Sequence, residues 1–125
     1  MSGATLDSGA LIAFARAKRP VVTLVARALE RGDTLAVPAG VVAQVWRDGA
    51  RQVRLVRLLA SDVIEVVALD DPTARAVGQL CGATGTTDVV DASVVFCARQ
   101  RGQKILTSDA DDLRRIDAKI DLVNV

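Results

Sequence analysis

Five short, mostly apolar runs punctuate this chain, and helix-like segments fill the intervals between them. The runs are Ala4–Leu6, residues 34–37, residues 63–67, Lys104–Thr107 and residues 120–123. A strand that is apolar along its length, rather than at alternate positions, is covered on both faces. Strands joined through helices run parallel, because the crossover must return to the starting end of the sheet. The pattern predicts the α/β class: a three-layer α/β/α arrangement with a mostly parallel central sheet.

Local signals set the expected boundaries. Asp7 or Ser8 caps a helix that carries Leu11, Ile12 and Phe14, and Pro20 opens a second helix closed by Gly32-Asp33. A helical stretch runs from Pro38 to Trp46, Asp48-Gly49 marks a turn, and helical spacing resumes over residues 50–60. Asp70-Asp71-Pro72 starts a helix reaching Cys81, followed by a loop over residues 82–87. Val89–Arg101 reads as a helix with Gly102 as its stop, and residues 111–116 as a short last helix. A length of 125 residues suits one domain, residues 1–125, and the half of them that is apolar suffices for a core without metal or disulfide staples.

What is absent narrows the chemistry. The chain has no histidine, which excludes His-based triads, imidazole bases and His-ligated zinc. It has no tyrosine, and its aromatic residues are Phe14, Trp46 and Phe96, too few for a base-stacking platform. A net charge of +1, from 16 basic and 15 acidic residues, argues against a bulk electrostatic binder. Cys81 and Cys97 fall in apolar helical stretches and read as buried small hydrophobes, with a disulfide as the alternative that nothing in their spacing requires. With no basic leader and no apolar run of about 18 residues, a cytoplasmic protein without a membrane anchor is expected.

Acid chemistry falls to carboxylates, thirteen Asp against Glu30 and Glu65. Asp7 follows the first strand and Asp109 the fourth, while Asp88 and Asp91 share a face at the start of a helix and Asp112 lies three residues beyond Asp109. Singly, each is an ordinary helix cap. Jointly they fall at the carboxyl ends of parallel strands, where open α/β sheets bind ligands.

Four segments in this order carry a resemblance. They are Thr5-Leu6-Asp7-Ser8-Gly9-Ala10-Leu11-Ile12-Ala13, Val37-Pro38-Ala39-Gly40-Val41-Val42-Ala43-Gln44-Val45-Trp46-Arg47, Thr87-Asp88-Val89-Val90-Asp91-Ala92 and Ile105-Leu106-Thr107-Ser108-Asp109. From about Ala4 to Val123 the chain resembles the PIN-domain family, and within it the VapC-type toxins. The resemblance implies a PIN-like fold and a metal-dependent endoribonuclease, a hydrolase of RNA phosphodiester bonds. It places the family's acids on Asp7, Asp91 and Asp109, as catalytic residues and metal ligands. Asp88, Asp112, Ser8 and Thr107 fall at accessory positions. Gln44 stands where the family carries a second acid, usually Glu, and brings no charge to a second metal. Oxygen donors without Cys or His favour Mg²⁺, with Mn²⁺ as substitute.

For the RNA substrate, Arg47, Arg51, Arg54 and Arg57 form one basic stripe if a single helix carries them; a solvated helix face or docking to an acidic partner explains the same spacing. The resemblance further implies a homodimer and a small antitoxin protein as partner. The alternative within the family is a catalytically impaired domain, acting by RNA or protein binding, with Gln44 its main support. Other phosphoryl-transfer folds fit less well: a haloacid-dehalogenase-like phosphatase needs an acid where Gly9 stands, and a receiver needs a Lys after a late strand, whereas Lys104 stands at the start of its strand. A purely structural domain leaves the placement of the acids unexplained.

Overall fold

The computed structural model describes residues 3–125. In chain order the elements are β1 (Ala4–Leu6), α1 (Ser8–Ala15), α2 (Arg19–Arg31), β2 (Leu35–Pro38), α3 (Ala39–Val45), α4 (Val53–Leu59), β3 (Ile64–Val67), α5 (Asp71–Thr84), α6 (Val89–Arg101), β4 (Lys104–Thr107), α7 (Ala110–Ile116) and β5 (Leu122–Asn124). The strands form one sheet in the order β3-β2-β1-β4-β5. Every pairing is parallel, with Ala4 opposite Leu35 on one side and Lys104 on the other.

That order fixes the layers. The chain steps from β1 to β2 to β3 in one direction, then crosses back over β2 and β1 to β4 and continues to β5. Parallel crossovers are right-handed, so the helices of the outward steps and those of the return step lie on opposite faces. In agreement, α1 packs on β1 and β4 with α2 and α4 beside it, while α6 lies across β2, β1 and β4 and carries α5 and α7. β1 is therefore buried at all three positions, and Leu6, Leu11, Val94, Val95, Ile105 and Leu106 make the centre of the core. The edge strand β3 is covered less, leaving Val66 exposed.

Several boundaries differ from the sequence expectation. Gly82 does not end α5; the helix runs on to Thr84 and stops where Gly85 takes the left-handed conformation at φ 78°. Helical structure resumes at Val53 rather than at residue 50, because the Gln52 carboxamide accepts the backbone N–H groups of Arg47 and Asp48 and holds that segment as a turn. β5 begins at Leu122, two residues late, with Ile120 packed into the core ahead of it. Cys97 is a buried free thiol and Cys81 a half-buried one.

The chain reverses direction between β1 and β4, so the topological switch point lies at their carboxyl ends. α1, α3 and α7 start directly after β1, β2 and β4 at that same end, and α6, which runs back toward β4, starts there too. Their unpaired N–H groups give this rim a partial positive character.

Candidate active site

Asp7 leaves β1 at the switch point and is only 5% exposed. Its backbone N–H continues the ladder by donating to the Leu106 carbonyl at 3.2 Å. The side chain caps α1, Oδ1 accepting the Ala10 N–H at 2.9 Å. Oδ2 accepts a hydrogen bond from the buried Thr107 hydroxyl at the end of β4. The same hydroxyl oxygen accepts the Asp109 N–H at 2.8 Å, so one threonine ties the first acid to the turn that carries the last. Burial pushes the Asp7 carboxyl above the usual carboxylate range, against the opposing pull of the Thr107 and Ala10 hydrogen bonds.

α6 brings the next two acids. Asp88 is its N-cap and accepts the Asp91 N–H at 2.9 Å, after donating its own N–H to the Thr86 hydroxyl at 3.1 Å. Asp91 sits in the first turn, half-buried, with its carboxyl pushed up to about 7. Burial is the largest cause, followed by the negative charges of Asp88, Asp112 and Asp7. Asp109 precedes α7 without capping it, and a hydrogen bond shared with Asp112, then burial and the charges of Asp112, Asp7 and Asp111, raise its carboxyl as well. Acids that follow β1 and β4, or sit on α6 and α7, thus come to one region, where Asp91 feels the charges of Asp88, Asp112 and Asp7, and Asp109 those of Asp112, Asp7 and Asp111.

Beside them opens a pocket of about 330 Å³, lined by Thr84, Thr86, Asp88, Asp91, Asp112 and Arg115 among others. The carboxylates stand apart: among the described residues no three acidic or thiol side chains are placed closely enough to share one metal ion. The donor chemistry nevertheless fits a hard divalent cation, since every donor is an oxygen and Asp7, Asp91 and Asp109 are all destabilised as anions.

Gln44, on α3, is exposed at the rim and its Oε1 accepts the Ser8 hydroxyl, beside Asp7. The arginine stripe does not form. α4 begins at Val53, so Arg47 and Arg51 lie outside it. Arg47 donates to the Ala43 and Trp46 carbonyls, Arg51 pairs with Asp48 at 3.6 Å, and Arg54 lies 5.3 Å from the centre of the Phe14 ring. Arg54 and Arg57 line an apolar groove with Phe14 and Leu29, apart from the acids.

Two features of the site escaped the sequence. A Cβ on Gly9 would fall 1.9 Å from the Ser108 Oγ, so the bare glycine lets the Asp109 turn approach the start of α1. Arg115 lines the acid pocket and pairs with Asp112, and nothing in the local sequence places it at the site.

Compared with known families, residues 4–119 match the PIN domain. None of the curated proteins gives a significant match to the chain.

Proposed function

The chain belongs to the PIN-domain family, whose members are generally nucleases, and on that premise we propose that it is a metal-dependent endoribonuclease acting as the toxin of a toxin–antitoxin pair. The observation that carries this reading is Asp91. Burial and three neighbouring acids raise its carboxyl to about 7, and a cation bound there would relieve that cost. When bound, a divalent ion supplies Lewis acidity at the phosphodiester and lowers the pKa of water. Mg²⁺ is the proposed ion, with Mn²⁺ as substitute.

The chain's own residues have separable roles. Asp7 and Asp91 are the principal ligands and Asp109 orients the shell. Thr107 fixes the Asp7 carboxylate through its hydroxyl and holds the Asp109 turn through the same oxygen. Ser8 orients the Gln44 carboxamide, which can position water or substrate but adds no charge. That missing charge favours a second reading, a catalytically impaired PIN domain that acts by binding RNA or protein.

An antitoxin and a homodimer belong to the same proposal. What supports a protein partner is the number of large apolar side chains left in solvent: Ile12, Leu29, Trp46, Val53 and Val89 are each at least 40% exposed. Among the described residues no helix is long and apolar enough to cross a membrane.

Incubating the purified protein with mixed tRNA and rRNA, with Mg²⁺ or Mn²⁺, tests the reading. Cleavage that disappears with EDTA and in the Asp91→Asn variant is expected. Mn²⁺ uptake in calorimetry without cleavage of any RNA would favour the impaired domain; neither uptake nor cleavage would overturn the nuclease reading.

A further inference from the structure

A polyanion entering the acid pocket meets Asp88, Asp91 and Asp112, and Arg115 is the cation in the pocket's described lining. The neighbouring arginine on α7 is engaged elsewhere: Arg114 donates to the carbonyls of Ala118 at 3.3 Å and Ile120 at 3.5 Å. Arg47 caps carbonyls and Arg54 and Arg57 face a different groove. Arg115 differs in its partner and in its freedom. Its Nη1 donates to Asp112 Oδ1 at 2.9 Å, within the acid cluster itself, and its side chain is 77% exposed. An exposed pair three residues apart on a helix is weak, so the guanidinium can leave Asp112 at little cost when a stronger anion arrives. Its planar fork of N–H donors matches a phosphate better than a point charge does.

We propose that Arg115 is the substrate-phosphate contact of this site, leaving Asp112 to hold a phosphodiester group of the RNA strand that lies across the pocket. The inference rests on the nuclease reading above and gives it a substrate-binding residue. Without RNA, the Arg115–Asp112 pair keeps the pocket's positive charge beside its acids. With RNA present, the guanidinium moves from Asp112 to the phosphate.

The test is binding of single-stranded RNA oligonucleotides of unrelated sequence, with Ca²⁺ in place of Mg²⁺, over a series of salt concentrations. Arg115→Ala is expected to weaken binding about tenfold for every sequence and to lower the slope of log K against log salt by about 0.7. Arg115→Lys should recover the slope but not the full affinity. Mn²⁺ uptake without RNA should be no weaker in Arg115→Ala than in wild type. Arg75→Ala, which removes an exposed pair with Asp71 on α5, should leave RNA binding unchanged. Wild-type affinity and slope in Arg115→Ala would overturn the inference while leaving the nuclease reading intact. Joint loss of Mn²⁺ uptake would make Arg115 a support for the acids and overturn it too. A wild-type protein that takes up Mn²⁺ and binds no RNA would overturn both readings.

Discussion

The two ends of β1 and β4 treat their polar side chains in opposite ways. Toward the amino end, polar groups close on one another. The fully buried Thr5 donates to Gln103 Oε1 at 3.0 Å, Gln103 Nε2 reaches the Thr34 carbonyl at 3.5 Å, and Arg101 pairs with Glu65 at 3.1 Å. At the carboxyl end, Asp88, Asp91 and Asp112 line a pocket with Arg115 as the cation of its described lining, and Asp7 and Asp109 lie beside it. Among these acids Asp91 is pushed up to about 7 by burial and by the charges of Asp88, Asp112 and Asp7. One end is satisfied internally and serves stability. The other gathers like charges, a conflict that the proposed cation would relieve.

The comparison is broken most sharply by removing acids. Asp7→Asn and Asp91→Asn should each reduce metal-dependent RNA cleavage by at least about a hundredfold, the scale on which catalytic groups act. The folded signal in circular dichroism should be retained. Asn is the informative choice at position 7, because it can still cap α1, whereas Ala would also remove the cap. Cleavage at the wild-type rate in either variant would end the assignment. At the other end, Gln103→Leu leaves the Thr5 hydroxyl buried with its principal acceptor gone. It should destabilise the protein by about 1–3 kcal/mol in urea denaturation while leaving Mn²⁺ affinity unchanged. A drop in Mn²⁺ affinity of the folded variant would show that the two ends are not independent.

The division between these ends was partly legible in the sequence. Strands this short and apolar announce a doubly covered parallel sheet, and an acid following a strand announces its place at the carboxyl end. Asp7, Asp91 and Asp109 were therefore readable in position, since each is fixed by the element beside it. The closed network was not, because Thr5 and Gln103 lie 98 residues apart and only the β1–β4 pairing brings them together. The arginine stripe failed for a related reason. Arg47, Arg51, Arg54 and Arg57 have helical spacing, but the Gln52 side chain binds backbone N–H groups and breaks the helix between them. Spacing carries no information about such a competing side-chain contact. Gly9 was visible as a glycine, but its close approach to Ser108 depends on a strand that arrives a hundred residues later.

The smallest effect isolates the electrostatic cost of the open end. Asp91 has its carboxyl raised from 3.8 to about 7 on folding, so the folded state holds a proton that the unfolded chain has lost. Its contribution to stability is fully present below about pH 4 and is lost as pH rises through about 7. After allowance for solvent screening this amounts to about 1–2 kcal/mol. Asp70 and Asp117 are shifted the opposite way, by the hydrogen bonds from Thr73 and by Lys119 and Arg99, and favour folding at higher pH. Comparing wild type with Asp91→Asn cancels those groups. In EDTA the variant should match wild type near pH 4 and exceed it by about 1–2 kcal/mol at pH 8. Saturating Mn²⁺ should reverse the order at pH 8, because an ion that binds only the folded wild type stabilises it by mass action. If the variant is no more stable than wild type at pH 8 without metal, the acids are not in conflict, and the contrast between the two ends reduces to ordinary helix capping.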